Sequence, residues 1–600
     1  MDGTVTLAAT AWQWPDWVTL GLFFVGMILV VWYSMKQKEE TSADYFLAGR
    51  AAGWLAIGSS IWASNIGSEH LVGLAGAGAK TGLAMSHWEA HAWLVLVLGW
   101  VFVPYYSRSK VFTMPEFLER RFCAGARTFL SLISLVSYVL TKVAVTVWAG
   151  GKVFQVVLNM QTINLPVFGE VDFFWFSAIT LVLVTGIYTI IGGMKAVLYT
   201  SVLQVPVILL GSFVILFIGL SKLGDGQGLL AGWKQVESIC GAQTTEYGDS
   251  MLNIIRSHKD PNFPWTGVLL GSAIIGFWYW CTDQYIVQRV LSAPDQKTAR
   301  RGAICGAYFK LTPIFIFMIP GLIAYALHQK GIINLGVTSS GAVDSDAAFP
   351  ALVREIVPLG VKGVVVGGMV AALMSSLASL FNSSATLFTV DFYKKYRPAS
   401  TEKHLVLVGR IATAAVTLLG IAWIPLMTGL GNVLYEYLQD VQSLIAPGIA
   451  AVFAMGVFSK RATGKAGLWG LIISFILGMF RLLVKVIYFS FFDKGGVMLK
   501  DYIYNGNVPA DLSNMQLLLM KFLAVNWLHY CIFLFFLTFV VIWIVSSFTA
   551  KPRPEQLQGL TYGSATPQQI EETRKSWGAW DVVHTAIVLS VIVAFYIYFW

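Results

Sequence analysis

Charge is what this chain has least of. Only 12% of its 600 residues are Asp, Glu, Lys or Arg, about half of the 25% common in soluble domains, while 56% are hydrophobic and 14% aromatic. So little polar surface cannot clothe a soluble globule, which excludes a soluble enzyme, a disordered chain and a nucleic-acid module. Cysteine is also scarce. Cys123, Cys240, Cys281, Cys305 and Cys531 are scattered at spacings that fit neither a disulfide framework nor a zinc site. Long polar segments are missing too, so no soluble catalytic domain has room to fold between the apolar runs. Neither a Ser-His-Asp set nor a His-rich helix pair occurs, which argues against an intramembrane enzyme. The net charge of +9 is carried by bases in short loops, where it reports topology and not a nucleic-acid partner.

What the chain has in abundance is apolar runs. Crossing about 30 Å of hydrocarbon takes about 20 residues, and about fourteen runs qualify, near 16–34, 52–79, 83–105, 128–158, 172–191, 196–222, 264–289, 302–327, 349–392, 405–428, 432–458, 466–490, 517–549 and 579–600. Each must be helical, because lipid offers backbone polar groups no partner. The first run lacks a basic leader, carries Asp2 and Asp16 before or in it, and is followed by Lys36 and Lys38. That pattern predicts an uncleaved anchor starting outside. Propagated along the chain, it gathers about 24 bases in loops on one side, among them Arg108, Arg120, Arg289, Arg300, Lys394 and Lys460, against about 7 opposite, so the first side is cytoplasmic. An even number of spans returns Trp600 to the outside.

Two runs carry polar residues at a depth that a lipid-facing helix would not tolerate. In 52–79, Ala63, Ser64, Asn65, Ile66, Gly67 and Ser68 precede Glu69 and His70; in 264–289, Gly271 and Gly276 precede Phe277-Trp278-Tyr279-Trp280-Cys281-Thr282-Asp283-Gln284. Unwound stretches explain both. A small-residue packing seam explains the Gly and Ser of the first run but not Asn65, Glu69 and His70. Five spans run from 52 to 222 and five from 264 to 458, so the second set starts on the opposite side and is inverted. Interrupted helices at matching places in inverted halves point to a secondary transporter with a midplane site. Residues 1–40 and 464–600 then flank a ten-helix core.

The run 349–392 contains Ala371-Ala372-Leu373-Met374-Ser375-Ser376-Leu377-Ala378-Ser379-Leu380-Phe381-Asn382-Ser383. The hydroxyls of Ser375 and Ser376, a carbonyl at Ala372, and carbonyls of an unwound stretch at Ala63 and Ile66 would offer a hard cation five oxygens. By spacing alone, a Ser-rich packing face fits equally well.

Ser64-Asn65-Ile66-Gly67-Ser68, Thr113-Met114-Pro115-Glu116-Phe117, the Trp278 to Gln284 block with Gln288-Arg289, and Phe381-Asn382-Ser383 together resemble the sodium/solute symporter family, and within it the sodium/glucose (galactose) cotransporters. The likeness runs in order over about residues 40–480. It implies an all-α polytopic membrane protein of about 14 transmembrane helices with a leucine-transporter-type 5+5 inverted-repeat core, both ends outside, and alternating access. It also implies a sodium ion held by Ala63, Ile66, Ala372, Ser375 and Ser376. Some relatives hold a second sodium with an Asp in a Tyr-Thr-Asp block and a Thr-Ser pair. Here those places read Tyr199-Thr200-Ser201 and Ala378-Ser379, which predicts one sodium per sugar.

A sugar is an array of hydroxyls around an apolar ring face, so its site combines amides, charged groups and an aromatic platform. Intramembrane candidates are Asn65, His70, Glu89, Lys310, Gln439, Tyr279 and Trp280. A Glu89–Lys310 partnership would let each keep its charge. The resemblance implies that these are the sugar ligands, with Tyr279 stacking on the ring and closing the inner gate, and Leu74, Trp88 and Tyr435 forming the outer gate. Gly276 departs from the Asn or Thr that relatives place one turn before Tyr279, so one sugar hydroxyl loses a partner or gains a water. The expected function is sodium-coupled hexose import, in a plasma membrane of bacterial inner-membrane type, by a monomer or weak dimer with no partner beyond sugar, sodium and lipid. A symporter for myo-inositol, an amino acid or a vitamin, or a non-transporting sugar sensor, are the alternatives.

Overall fold

The computed structural model describes residues 12–36, 40–245, 247–338, 341–427, 434–493, 496–509 and 512–600. They form an all-helical membrane bundle whose one sheet, among the described residues, is a hairpin, Thr162–Leu165 against Gly169–Asp172. Eleven of the described helices are long and apolar enough to cross a membrane. The difference from the fourteen expected runs has a geometric cause. One expected pair is fused in Phe173–Leu223, another partly in Glu69–Ser109, and the run 264–289 is broken up.

Phe173–Leu223 is 51 residues long, about 76 Å if straight, far more than a bilayer is thick. The break is at Gly193, whose φ of 44° and ψ of −142° no helix adopts, and a side chain there would also run into the Tyr45 carbonyl. The helix Val361–Tyr396 measures the reversal. Asn382 contacts the sulfur of Met194, the Tyr188 hydroxyl donates to the Met374 carbonyl at 3.1 Å, and a Cβ on Gly368 would lie 3.1 Å from the Val207 carbonyl. Residues on both sides of Gly193 therefore lie further down the same ruler, and the two arms are antiparallel.

The run 349–392 is not one span. A short helix, Ala348–Glu355, precedes the crossing helix, which starts at Val361 after Gly360 in left-handed conformation. Likewise 517–549 divides into Asn514–Ala524 and Trp527–Ser547, the second capped by the Asn526 side chain. The helix containing the serine cluster is the most enclosed of the crossing helices, 94% of its apolar window being buried. It forms the wall against which the broken helices pack.

Candidate substrate and sodium site

The first broken helix runs as Trp54–Asn65 and resumes at Ser68. Only Ile66 and Gly67 leave the helix, a shorter interruption than the Ala63 to Ser68 stretch expected. Ile66 is extended, with φ −81° and ψ 117°, and its N–H on the Trp62 carbonyl is the last rung of the ladder. The carbonyls that follow are left without helical donors. Gly67 has no room for a side chain, since a Cβ would lie 2.9 Å from Ser376 Oγ. That close approach lets the Ser376 hydroxyl reach the Ile66 carbonyl at 2.7 Å and the Ser64 carbonyl at 3.1 Å. The Tyr285 hydroxyl donates to the same Ser64 carbonyl.

Ser375 Oγ is buried and, among the described residues, without a hydrogen-bond partner. A buried polar atom left unsatisfied costs about 1–3 kcal/mol. A sodium ion as cargo fits this donor set: two adjacent hydroxyls, the Ile66 carbonyl across the break, and the fully buried backbone at Ala63 and Ala372. The oxygens of the second set are engaged otherwise. Ser201 donates to the Val197 carbonyl at 2.6 Å, and Ser379 pairs with the Ser64 hydroxyl at 2.7 Å.

Beside the break lies a small cavity of about 60 Å³. Asn65, His70, Tyr279, Trp280, Lys310, Gln439 and Trp88 all line it. Glu89 stands behind Lys310, fully buried, with its Oε2 2.5 Å from the ammonium. Its other oxygen lies 3.6 Å from His70 Nε2, and the Asn65 amide nitrogen lies 3.2 Å from the same ring nitrogen. A continuous polar chain thus runs from the broken helix to Lys310. The Lys310 ammonium is 5.1 Å from the Trp280 ring centre, and Tyr279 meets Trp280 edge-on at 5.0 Å. Gln439 is buried with its amide oxygen unpartnered among the described residues. Leu74 is fully buried but does not line the cavity, and the Tyr435 side chain lies outside the described residues.

At Gly276 the structure replaces the missing polar side chain. A Cβ there would come 2.5 Å from His91 Nδ1 and 2.6 Å from Leu94 Cδ1. The His91 ring fills that space, lines the cavity and is braced by Ser272 Oγ at 3.4 Å from Nε2. Gly276→Thr is therefore expected to push the His91 ring into the cavity and close it to solute, and adding His91→Ala to reopen part of it. Equilibrium binding of the labelled transported solute to purified protein measures both, and a single Gly276→Thr variant that binds normally would refute the steric account.

Several cavity residues escape the sequence. Lys142 and Tyr285 line the cavity with Glu69, and Lys142 satisfies the rule that singles out Lys310, an ionisable group in mid-span. Trp88 at the cavity wall is also covered by rings from distant segments. Trp88 stacks on Trp527 at 5.7 Å and meets Phe263 edge-on at 6.3 Å. Only pairing in space reveals them. The Thr113 to Phe117 block proves to be a brace between segments. The Thr113 side chain caps Met114–Arg121 and donates to Asp391 at 2.8 Å, while Gln284 accepts from the Met114 N–H.

Residues 45–474 match the family model described as "Sodium:solute symporter family". Sodium/glucose cotransporter 4 of Danio rerio is 35% identical over 560 residues, covering 91% of this chain and 80% of that one. Sodium/myo-inositol cotransporter 2 of Homo sapiens is 35% identical over 565 residues, covering 91% and 78%. Sodium/glucose cotransporter 1 of Sus scrofa is 35% identical, covering 89% and 78%. A solved structure of a Na+-coupled sialic acid symporter, substrate-bound and outward-open, superimposes with a TM-score of 0.68 at 19% identity, covering 91% of this chain and all of that one. That likeness is one of fold, and it is the fold that the sequence resemblance implies.

Proposed function

The chain belongs to the sodium:solute symporter family, and from that premise we propose that it imports a hexose, glucose or galactose, with one sodium ion per sugar. It is an integral membrane protein, a sodium-coupled solute symporter and not an enzyme. The observation that carries the sugar reading is the polar chain Asn65–His70–Glu89–Lys310 beside the Trp280 and Tyr279 rings. It offers a hydroxylated ring donors and acceptors on its edge and an aromatic face. The residues in named roles are Asn65, His70, Glu89, Lys310, Gln439, Tyr279 and Trp280 for sugar, Ala63, Ile66, Ala372, Ser375 and Ser376 for sodium, and Leu74, Trp88 and Tyr435 with Tyr279 as gates. The core is two inverted five-helix repeats, 52–222 and 264–458, flanked by 1–40 and 464–600, in a plasma membrane with both chain ends outside.

Sodium bridging the break to the Val361–Tyr396 wall would hold Asn65 and the His70 segment in place for sugar. The ion's charge couples import to the membrane potential, about 2.3 kcal/mol per 100 mV. Binding linkage is reciprocal, so sugar tightens sodium by the same factor. A cyclic polyol satisfies the same donors, and the human relative named for myo-inositol is as similar as those named for glucose, which favours that solute as a second reading. Uptake of labelled glucose into proteoliposomes under an inward sodium or potassium gradient, with galactose and myo-inositol as competitors, decides. Glucose uptake driven by sodium alone and displaced by galactose is expected. Transport of myo-inositol but not glucose overturns the hexose reading. The charge moved per sugar is expected near one; a value near two refutes the single sodium.

A further inference from the structure

Lys142 and Asp283 form an ion pair that neither the sugar nor the sodium reading uses. Nζ lies 2.9 Å from Oδ2, and the two side chains are 8% and 2% exposed. Lys142 sits in a π-turn, Tyr138–Val143, within the helix Ala124–Leu158. Asp283 sits where the second broken helix is interrupted, with φ −78° and ψ 130°, and caps the inner half, Gln284–Leu291, by accepting from the Tyr285 N–H. The Tyr138 hydroxyl donates to its other oxygen. The pair therefore ties the inner half of a broken helix to a helix that continues through its own turn.

Its place among the rings is the informative feature. The Lys142 ammonium lies 4.8 Å from the centre of Tyr279, the proposed sugar platform, and 4.6 Å from that of Tyr285. Tyr285 in turn donates to the Ser64 carbonyl, which Ser376 also contacts. One cation thus touches a ring on the sugar side and a ring on the sodium side, and both contacts depend on how those rings lie. We propose that the Lys142–Asp283 pair is a coupling latch: it keeps the inner half of the second broken helix closed while one solute alone is bound, and yields when sugar and sodium have moved both rings. Its purpose in transport is to stop sodium crossing without sugar.

The latch is tested with purified protein in proteoliposomes by ²²Na+ efflux in the absence of sugar. This readout rests on sodium coupling and not on the hexose reading: a wild type that transports no hexose would refute that reading and leave the latch test intact. Lys142→Met and Asp283→Asn are expected to raise sugar-independent efflux about tenfold, a usual size for coupling between sites. Asn is itself a good helix cap, so Asp283→Asn removes the charge and keeps the helix start. The double variant is expected to leak no more than either single one, because one interaction is lost in all three, and Lys142→Arg is expected to restore tightness. Wild-type efflux in both neutral variants overturns the latch. So does a lowered Tm without any leak, which assigns the pair to stability, or a double-variant leak equal to the product of the single ones.

Discussion

Lys310→Ala is expected to reduce sodium-driven sugar uptake by a hundredfold or more. The ammonium is the terminus of the polar chain and stands at the cavity wall, so its removal deletes a proposed donor to sugar and leaves the Glu89 carboxylate buried without its 2.5 Å partner. Breaking a buried pair by removing one member costs about 3–5 kcal/mol, and each 1.4 kcal/mol is about tenfold in an equilibrium. Part of that cost falls on folding, so uptake alone would not separate the two causes. The double variant Lys310→Met with Glu89→Gln separates them. It places no charge in the apolar interior, so its Tm is expected to return towards wild type while uptake stays lost. Labelled glucose uptake, with Tm measured on the same preparations, reads both. Sodium-dependent uptake at the wild-type rate in Lys310→Ala would remove Lys310, and with it the polar chain, from the sugar site.

Members of the candidate site were legible in sequence wherever lipid makes a residue conspicuous. Glu89, Lys310, Asn65 and His70 stand out because a charged or amide group in an apolar run needs a reason, and the structure brings them into one chain. What the sequence could not show is relations between distant segments. That Gly276 is empty because His91 occupies its space follows from contact across two helices, not from either residue's neighbours in the chain. The Trp88–Trp527 stack joins residues 439 positions apart. The interruption of the first broken helix was placed correctly but too broadly, since a run of small polar residues marks a permissive stretch without saying where the hydrogen-bond ladder stops. Span limits suffered similarly. Hydropathy joins 349–392 because Ala348–Glu355 is apolar enough to be buried against Ile319–Gln329 and Ala144–Leu158, and it separates the arms around Gly193 for a reason, reversal at a left-handed glycine, that only the backbone displays.

Ser376→Ala is expected to raise the sodium concentration giving half-maximal uptake by about tenfold, with the maximal rate recovered at high sodium. The hydroxyl meets the Ile66 carbonyl at 2.7 Å and the Ser64 carbonyl at 3.1 Å. In the sodium-loaded state it would turn an oxygen lone pair to the ion. Its removal deletes one of five proposed ligands, and a lost interaction with a charged group is worth about 1.5–3 kcal/mol. Tyr285 still serves the Ser64 carbonyl, so the break in the helix keeps one of its braces and the fold is expected to survive. Because linkage is reciprocal, sugar affinity at fixed, subsaturating sodium is expected to fall as well and to recover as sodium is raised. Ser379→Ala supplies the contrast. Its hydroxyl faces the Ser64 side chain at 2.7 Å, outside the proposed cage, so the loss of that neutral hydrogen bond, about 1 kcal/mol net, falls on folding and is expected to leave the sodium requirement within about twofold of wild type. Sodium-activation curves of labelled sugar uptake compare the two. An unchanged requirement in Ser376→Ala would move the ion elsewhere, and an equal rise in Ser379→Ala would extend the cage towards a second sodium.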